Sequence, residues 1–167
     1  MAEVDSAGVV PPLPDLCDEF GDALGIAEPG FVHFGGVDCF SGPIRTLKVF
    51  EDNSLVGDAL RGPGDGHVLV VDGGASLRCA LVGDNLAQAG VDNGWAGVVV
   101  WGCVRDVEVL AEIPFGVAAL AAHPLRSVKR GIGEAELPLS FAGVRWLPGG
   151  WVYADRNGVA FSPKRLT

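Results

Sequence analysis

Three apolar runs set the limits on how this chain can fold: HVLVVD at 67–72, GVVVWG at 97–102 and FGVAALA at 115–121. None of them alternates with polar residues. A strand that faces water on one side alternates, whereas a strand covered on both sides is continuously apolar, as in a parallel sheet packed on both faces. Between the runs, Leu86, Ala87 and Val91 recur on one side of a helical stretch within 81–94, and 107–111 reads as a helical turn. The order β-α-β-α-β predicts parallel strands joined by crossover helices.

The flanks extend this core. DLCDEFGDAL at 15–24 has Leu16, Phe20 and Leu24 at helical spacing. GPIRTLKVF at 42–50 reads as a strand, 53–60 as a short helix, and RGPGDG at 61–66 as a turn. Segment 28–36 is broken by Pro29 and glycines and reads as a turn feeding an extended stretch. Near the C-terminus, 137–141, 144–147, 151–155 and 158–162 are short β candidates separated by turn signals such as PGG and DRNG, which predicts antiparallel pairing. The expectation is one α/β domain over 14–167, with parallel core strands and antiparallel C-terminal strands, preceded by a proline-rich arm over 1–13.

Composition narrows the partners. Among 167 residues, 21 acidic against 12 basic side chains give a formal net charge of −9. Binding through a nucleic-acid backbone needs clustered Lys and Arg, so direct nucleic-acid binding is not expected; a basic protein partner is compatible. No apolar stretch approaches the roughly 20 residues of a membrane helix, and the acidic start lacks the features of a secretory signal. Cys17, Cys39, Cys79 and Cys103 contain no CxxC pair and read as reduced thiols in a cytoplasmic protein, with no zinc cluster.

The candidate chemistry lies in VGDNLAQAG (82–90) and GVVVWGCVRDVEVL (97–110). Asp84 or Asn85 is placed to cap a helix starting near Gly83. That cap is one reading; the other is that the free amides of the first turn bind an anion such as a carboxylate. In parallel sheets, ligands sit beyond the carboxyl ends of the strands. Arg105 and Asp106 follow the strand 97–102, so they and the helix start would face one crevice. Arginine forks onto carboxylates, and aspartate is an oxygen ligand for Mg²⁺ or Mn²⁺. The pair could equally be a local surface ion pair of little energetic weight.

Asp84 and the Arg105-Asp106 pair stand in the pattern D-x20-R-D. The pattern resembles the signature of the class II pyruvate aldolases of the RraA / 4-hydroxy-4-methyl-2-oxoglutarate aldolase family. FGG at 34–36, FSGPIRT at 40–46, KVFEDNSLV at 48–56, VLVVDGGASLRCALVGDNLA at 68–87, GWAGVVVWGCVRDV at 94–107, GIGE at 131–134 and YADRNGV at 153–159 resemble the same family in order, over roughly residues 15–163.

The resemblance implies a swivelling β/β/α-type domain assembled as a homotrimer. It implies substrate binding by Gly83, Asp84, Asn85, Leu86 and Arg105, and a divalent cation on Asp106. The implied chemistry is cleavage of 4-hydroxy-4-methyl-2-oxoglutarate to release pyruvate, or decarboxylation of oxaloacetate. In such a reaction Arg105 stabilises the charge that develops on the 2-oxo oxygen, amides near Asn85 and Leu86 hold the carboxylate, and Asp84 orients a water for proton transfer. No Schiff-base lysine is needed, and Lys48, Lys129 and Lys164 lie outside the motif. A second branch of the family implies a ribonuclease E-type protein partner.

One position departs from the pattern. Related aldolases carry an acid three residues after the metal aspartate, where this chain has Val109, with Glu108 one residue earlier. One helical residue is ~100° of rotation, so Glu108 does not stand in for it. Outside the motif, His33 reads as structural, His67 and His123 as boundary residues, Cys103 as no nucleophile, GPGDG at 62–66 as a turn, and the four tryptophans as core or subunit contacts. Glu134, in GIGE, receives no role.

Overall fold

The computed structural model describes residues 9–167. Helix α1 spans Leu13–Phe20 and runs into a 3₁₀ turn at Gly21–Ala23; β1 (Gly25–Ile26), β2 (Val32–His33) and β3 (Phe40–Lys48) follow. Then come α2 (Ser54–Arg61), β4 (Val68–Asp72), β5 (Ala80–Val82), α3 (Asp84–Asp92), β6 (Gly97–Val104), α4 (Val107–Leu110) and β7 (Gly116–Ala122). The chain ends in β8 (Glu134–Ala135), β9 (Leu139–Phe141), β10 (Val144–Trp146), β11 (Trp151–Asp155) and β12 (Gly158–Ser162). Residues 1–8 of the expected arm lie outside the described residues; Leu13, its last residue, opens α1 and is buried.

The main sheet is mixed, in the order β1-β12-β11-β3-β4-β6-β7-β2. The centre, β3-β4-β6-β7, is parallel, and β1, β11, β12 and β2 pair antiparallel around it. The apolar runs are continuous because both faces are covered. Leu69, Val71, Val98, Val100, Val117 and Ala119 meet Val56 and Leu60 of α2 and Leu86 and Ala87 of α3. Their alternates Val68, Val70, Val99 and Ala118 meet the β9–β10 hairpin through Leu139, Phe141 and Trp146, and the curled sheet through Val152 and Phe161. Full burial of each Val or Leu contributes about 1.5–3 kcal/mol. Helix α1 covers the outer side of β11 and β12 through Leu13, Leu16, Tyr153 and Ala160.

Two glycines that open neighbouring strands of the sheet leave room for an aromatic ring. Gly97 and Gly116 are paired neighbours on β6 and β7. A Cβ on Gly97 would come within 2.7 Å of the Phe40 ring, and one on Gly116 closer still, so the two glycines make the bed on which that ring lies.

The structure also corrects the reading at the carboxyl end of the sheet. The strand expected to end at Gly102 continues to Val104. Its first five residues pair with β4, and its last two, Cys103 and Val104, pair with β5. After Asp72 the chain leaves the edge of β6 and returns to it at Ala80. Residues 80–82, for which no strand is expected, form that short strand, and it is β5, not the 67–72 strand, that feeds α3.

Candidate functional site

The site forms where β5 and β6 end side by side. The Arg105 amide donates to the Val82 carbonyl at 2.9 Å, which fixes the residue after β6 against the last residue of β5. Gly83 follows as the N-cap of α3, with Asp84 as the first helical residue and no side-chain cap. The expectation that Asp84 or Asn85 caps the helix is therefore corrected: a Cβ at position 83 would stand 2.6 Å from Asp106 Oδ2, inside any tolerated contact. The absence of a side chain at the cap lets the Asp106 carboxylate approach.

Asp106 reaches that position through its backbone. It is the N-cap of α4 at φ 58°, ψ 41°, in the left-handed region, where aspartate is among the few side chains found with any frequency. Its Oδ2 accepts the Asp84 amide at 3.3 Å and lies 3.9 Å from Arg105 Nε. Asp84 Oδ1 in turn accepts the Asn85 amide at 2.8 Å. Two carboxylates thus already rest on amides of the first turn of α3, which points to a local preference for oxyanions. Arg105 and Asp106 are each more than a third exposed, so their mutual attraction contributes little to stability.

Gly83, Asp84, Asn85, Leu86, Arg105 and Asp106 all line one cavity of roughly 720 Å³. Asn53, Arg61 and the stretch 125–129, all absent from the sequence-based site, line it too. The far wall is pinned in place by long-range hydrogen bonds. The Ala80 amide donates to the Leu125 carbonyl at 2.7 Å, and the Asn53 amide to Ser127 Oγ at 3.1 Å. Asp52, 3% exposed, accepts the Ser54 amide and hydroxyl on one oxygen and the Arg130 and Ile132 amides on the other. Burial acts against its charge, but these four hydrogen bonds prevail and hold the carboxyl at about 2. Asn53 Nδ2 donates to the Leu81 carbonyl at 3.1 Å, while its buried Oδ1 has no partner among the described residues.

The remaining candidates have structural surroundings. His67 Nδ1 lies 2.8 Å from the Gly64 carbonyl, and His123 Nδ1 accepts the Leu125 amide at 3.1 Å. His33 has both ring nitrogens buried without a partner among the described residues. All four cysteines are free thiols, and burial pushes the Cys103 thiol up. Trp146 is fully buried, with Phe141 stacked on it at 5.1 Å, and Trp95 is nearly so. Val109 is 47% exposed and is not part of the cavity wall. Glu134 is exposed on β8 and lines a separate depression together with Phe50 and Ile132. No described helix is long and apolar enough to cross a membrane.

Known proteins resemble this chain in sequence and in fold. A protein of Laribacter hongkongensis bearing the name "Putative 4-hydroxy-4-methyl-2-oxoglutarate aldolase" is 59% identical over 152 residues, covering 91% of this chain and 96% of its own length. One of Pseudomonas syringae pv. tomato with the same name is 54% identical, over 92% and 95%. Among solved structures, one from Geobacillus kaustophilus described as an S-adenosylmethionine: 2-dimethylmenaquinone methyltransferase is 48% identical, with a TM-score of 0.91, covering 93% of this chain and 97% of that one. The Thermus RNA-processing inhibitor RraA is 46% identical, with a TM-score of 0.90, over 95% and 96%. The RraA-like family model, Aldolase/RraA, matches residues 13–161, and the chain belongs to that family.

Proposed function

We propose that this protein is a divalent-metal-dependent lyase that breaks a carbon–carbon bond in a 2-oxo acid and releases pyruvate, from 4-hydroxy-4-methyl-2-oxoglutarate-type substrates, by decarboxylation of oxaloacetate, or both. The observation that carries the reading is the meeting of Arg105, Asp106 and the opening turn of α3 in one cavity. The names of the aldolase relatives support the substrate class.

The donor set suits Mg²⁺ or Mn²⁺. No group of three His, Cys, Asp or Glu side chains stands together among the described residues. Asp106 would hold the cation, with water and the 2-oxo acid supplying most of the shell, a mode common for Mg²⁺. A cation held there supplies Lewis-acid polarisation of the 2-oxo group.

The chain's own groups account for the rest. The Arg105 guanidinium places fixed positive charge beside the oxygen on which negative charge develops as the bond breaks. The substrate carboxylate takes the amides of Asn85 and Leu86, which requires Asp84 Oδ1 to leave the Asn85 amide. Once released, Asp84 faces the cavity and can hold a water for proton transfer.

The test is pyruvate release from oxaloacetate and from 4-hydroxy-4-methyl-2-oxoglutarate, with Mg²⁺ or Mn²⁺ and then with EDTA. Asp106→Ala is expected to lose activity with its metal affinity, and Arg105→Ala to lose activity with metal affinity kept. No metal-dependent pyruvate from either substrate overturns the reading.

A second reading has its own support in the likeness to the Thermus RNA-processing inhibitor and in the net charge of −9. Here the chain binds a basic segment of a ribonuclease E-type partner. Salt-sensitive retention of that enzyme, unchanged by Asp106→Ala, is the expected result; no retention at low ionic strength refutes it. We also infer a homotrimer. Exposed Leu125 and Val128 at the cavity wall, and exposed Phe50 and Ile132 in the separate depression, are apolar surface that supports self-association. A monomeric mass by light scattering would refute it.

A further inference from the structure

We propose that the cavity contains a second anion subsite, formed by Arg61 and Lys129, that takes the distal carboxylate of a dicarboxylic 2-oxo acid; the proposal rests on the lyase reading above. The first support is charge. Acidic side chains outnumber basic ones 21 to 12 in the chain, yet the cavity reverses this balance. Arg61, Arg105, Arg126 and Lys129 line it, against the carboxylates of Asp84 and Asp106. A cationic depression in an acidic surface concentrates anions, and does so more strongly for dianions.

The second support is placement. Arg105 sits beside Asp106 at the reacting end. Arg61 lies at the C-terminal end of α2, and Lys129 on the wall tied to α2 through Asp52 and Asn53. A smaller annex of about 140 Å³ opens beside the main cavity and is lined by Ser54, Gly57 and Asp58 together with four residues common to both spaces: Asn53, Arg61, Leu86 and Lys129. The two cations thus flank the junction between the spaces.

The third support is availability. Neither Arg61 nor Lys129 makes an ion pair or a side-chain hydrogen bond among the described residues; even Asp58, one helical turn from Arg61, is beyond ion-pair distance. Arg61 folds back over the bare backbone of Gly57, where a Cβ would stand 2.8 Å from its Nη1. A carboxylate reaching this junction would meet two cations that no other described side chain engages.

Binding can be read without turnover. The full chain with Mg²⁺ is titrated calorimetrically with 2-oxoglutarate, a dicarboxylate, and 2-oxobutanoate, a monocarboxylate of similar chemistry. Wild type is expected to bind 2-oxoglutarate more tightly. Arg61→Gln should weaken 2-oxoglutarate about 10- to 100-fold, the effect of losing one charge-assisted hydrogen bond. Binding of 2-oxobutanoate should stay within about threefold, since screening limits the distant charge. Lys129→Gln should repeat the split, and Arg105→Gln should weaken both ligands. Equal loss of both ligands in Arg61→Gln and Lys129→Gln, or no loss of 2-oxoglutarate, overturns the subsite and leaves the lyase reading intact. Failure of wild type to bind 2-oxoglutarate more tightly than 2-oxobutanoate overturns the subsite, while the lyase reading stands or falls separately on metal-dependent pyruvate release.

Discussion

Gly83→Ala puts the site's geometry to a direct test. The added methyl would stand 2.6 Å from Asp106 Oδ2, 3.4 Å from Arg105 Cγ and 3.6 Å from Arg105 Nε. Only the first contact is intolerable, and relieving it needs a displacement of roughly 0.4 Å merely to reach 3.0 Å. The backbone at position 83, φ −128° and ψ −166°, suits alanine, so the whole load falls on the carboxylate. Asp106 is partly exposed and can swing outward. The cost to stability is then the weak hydrogen bond from the Asp84 amide, about 0.5–1.5 kcal/mol, a Tm decrease of about 2–6 °C for a chain of this size.

The cost to function is larger, because a ligand group displaced by a sizeable fraction of an ångström can lower turnover about 100-fold. The assays are calorimetric metal titration, pyruvate release and thermal unfolding, with Gly21→Ala as control. Gly21 has helical dihedrals and nothing within 4 Å of its would-be Cβ. That change should be neutral, or stabilising by about 0.4–1 kcal/mol. Wild-type metal affinity and turnover in Gly83→Ala would refute the account of Asp106. A Tm loss above about 10 °C would show that the backbone carries the load.

Three further outcomes are expected. Asp52→Asn replaces one accepting oxygen by an amide nitrogen that cannot accept, removes the acceptor of two of the four donors, and should cost about 1.5–3 kcal/mol by denaturant unfolding. Because the folded carboxyl is held at about 2 against an ordinary 3.8, its contribution is present above 3.8 and is lost as pH falls towards 2, so the variant should show a flatter acid limb. His33 is pushed below its ordinary 6.5 by burial, so the unfolded chain binds the proton first and stability should fall as pH drops below 6.5; in thermal scans across that range, His33→Phe should remove this component. Val109→Glu, on an exposed position outside the cavity wall, should change stability by less than about 0.5 kcal/mol and leave pyruvate release from oxaloacetate unaltered; a tenfold gain would place that position in the reaction.

The sequence by itself determined the parallel core, because burial on both faces removes polar residues from 68–71, 97–104 and 116–119 and leaves a pattern readable residue by residue. It determined the antiparallel C-terminal strands, whose turns carry their own glycine, proline and asparagine signals. That Gly83–Leu86 and Arg105-Asp106 meet at the carboxyl edge of the sheet was legible as well, although the strand that ends beside β6 there is β5 and not the 67–72 run. Strand β5 was not, because three residues are too few to display a period. Nor was the identity of the cap, which depends on how closely the Asp106 carboxylate approaches position 83. The wall that brings Arg126 and Lys129 to the cavity was settled only by tertiary structure. Its hydrogen bonds join residues 45 to 80 positions apart, and contacts at that separation leave no trace in local pattern or propensity.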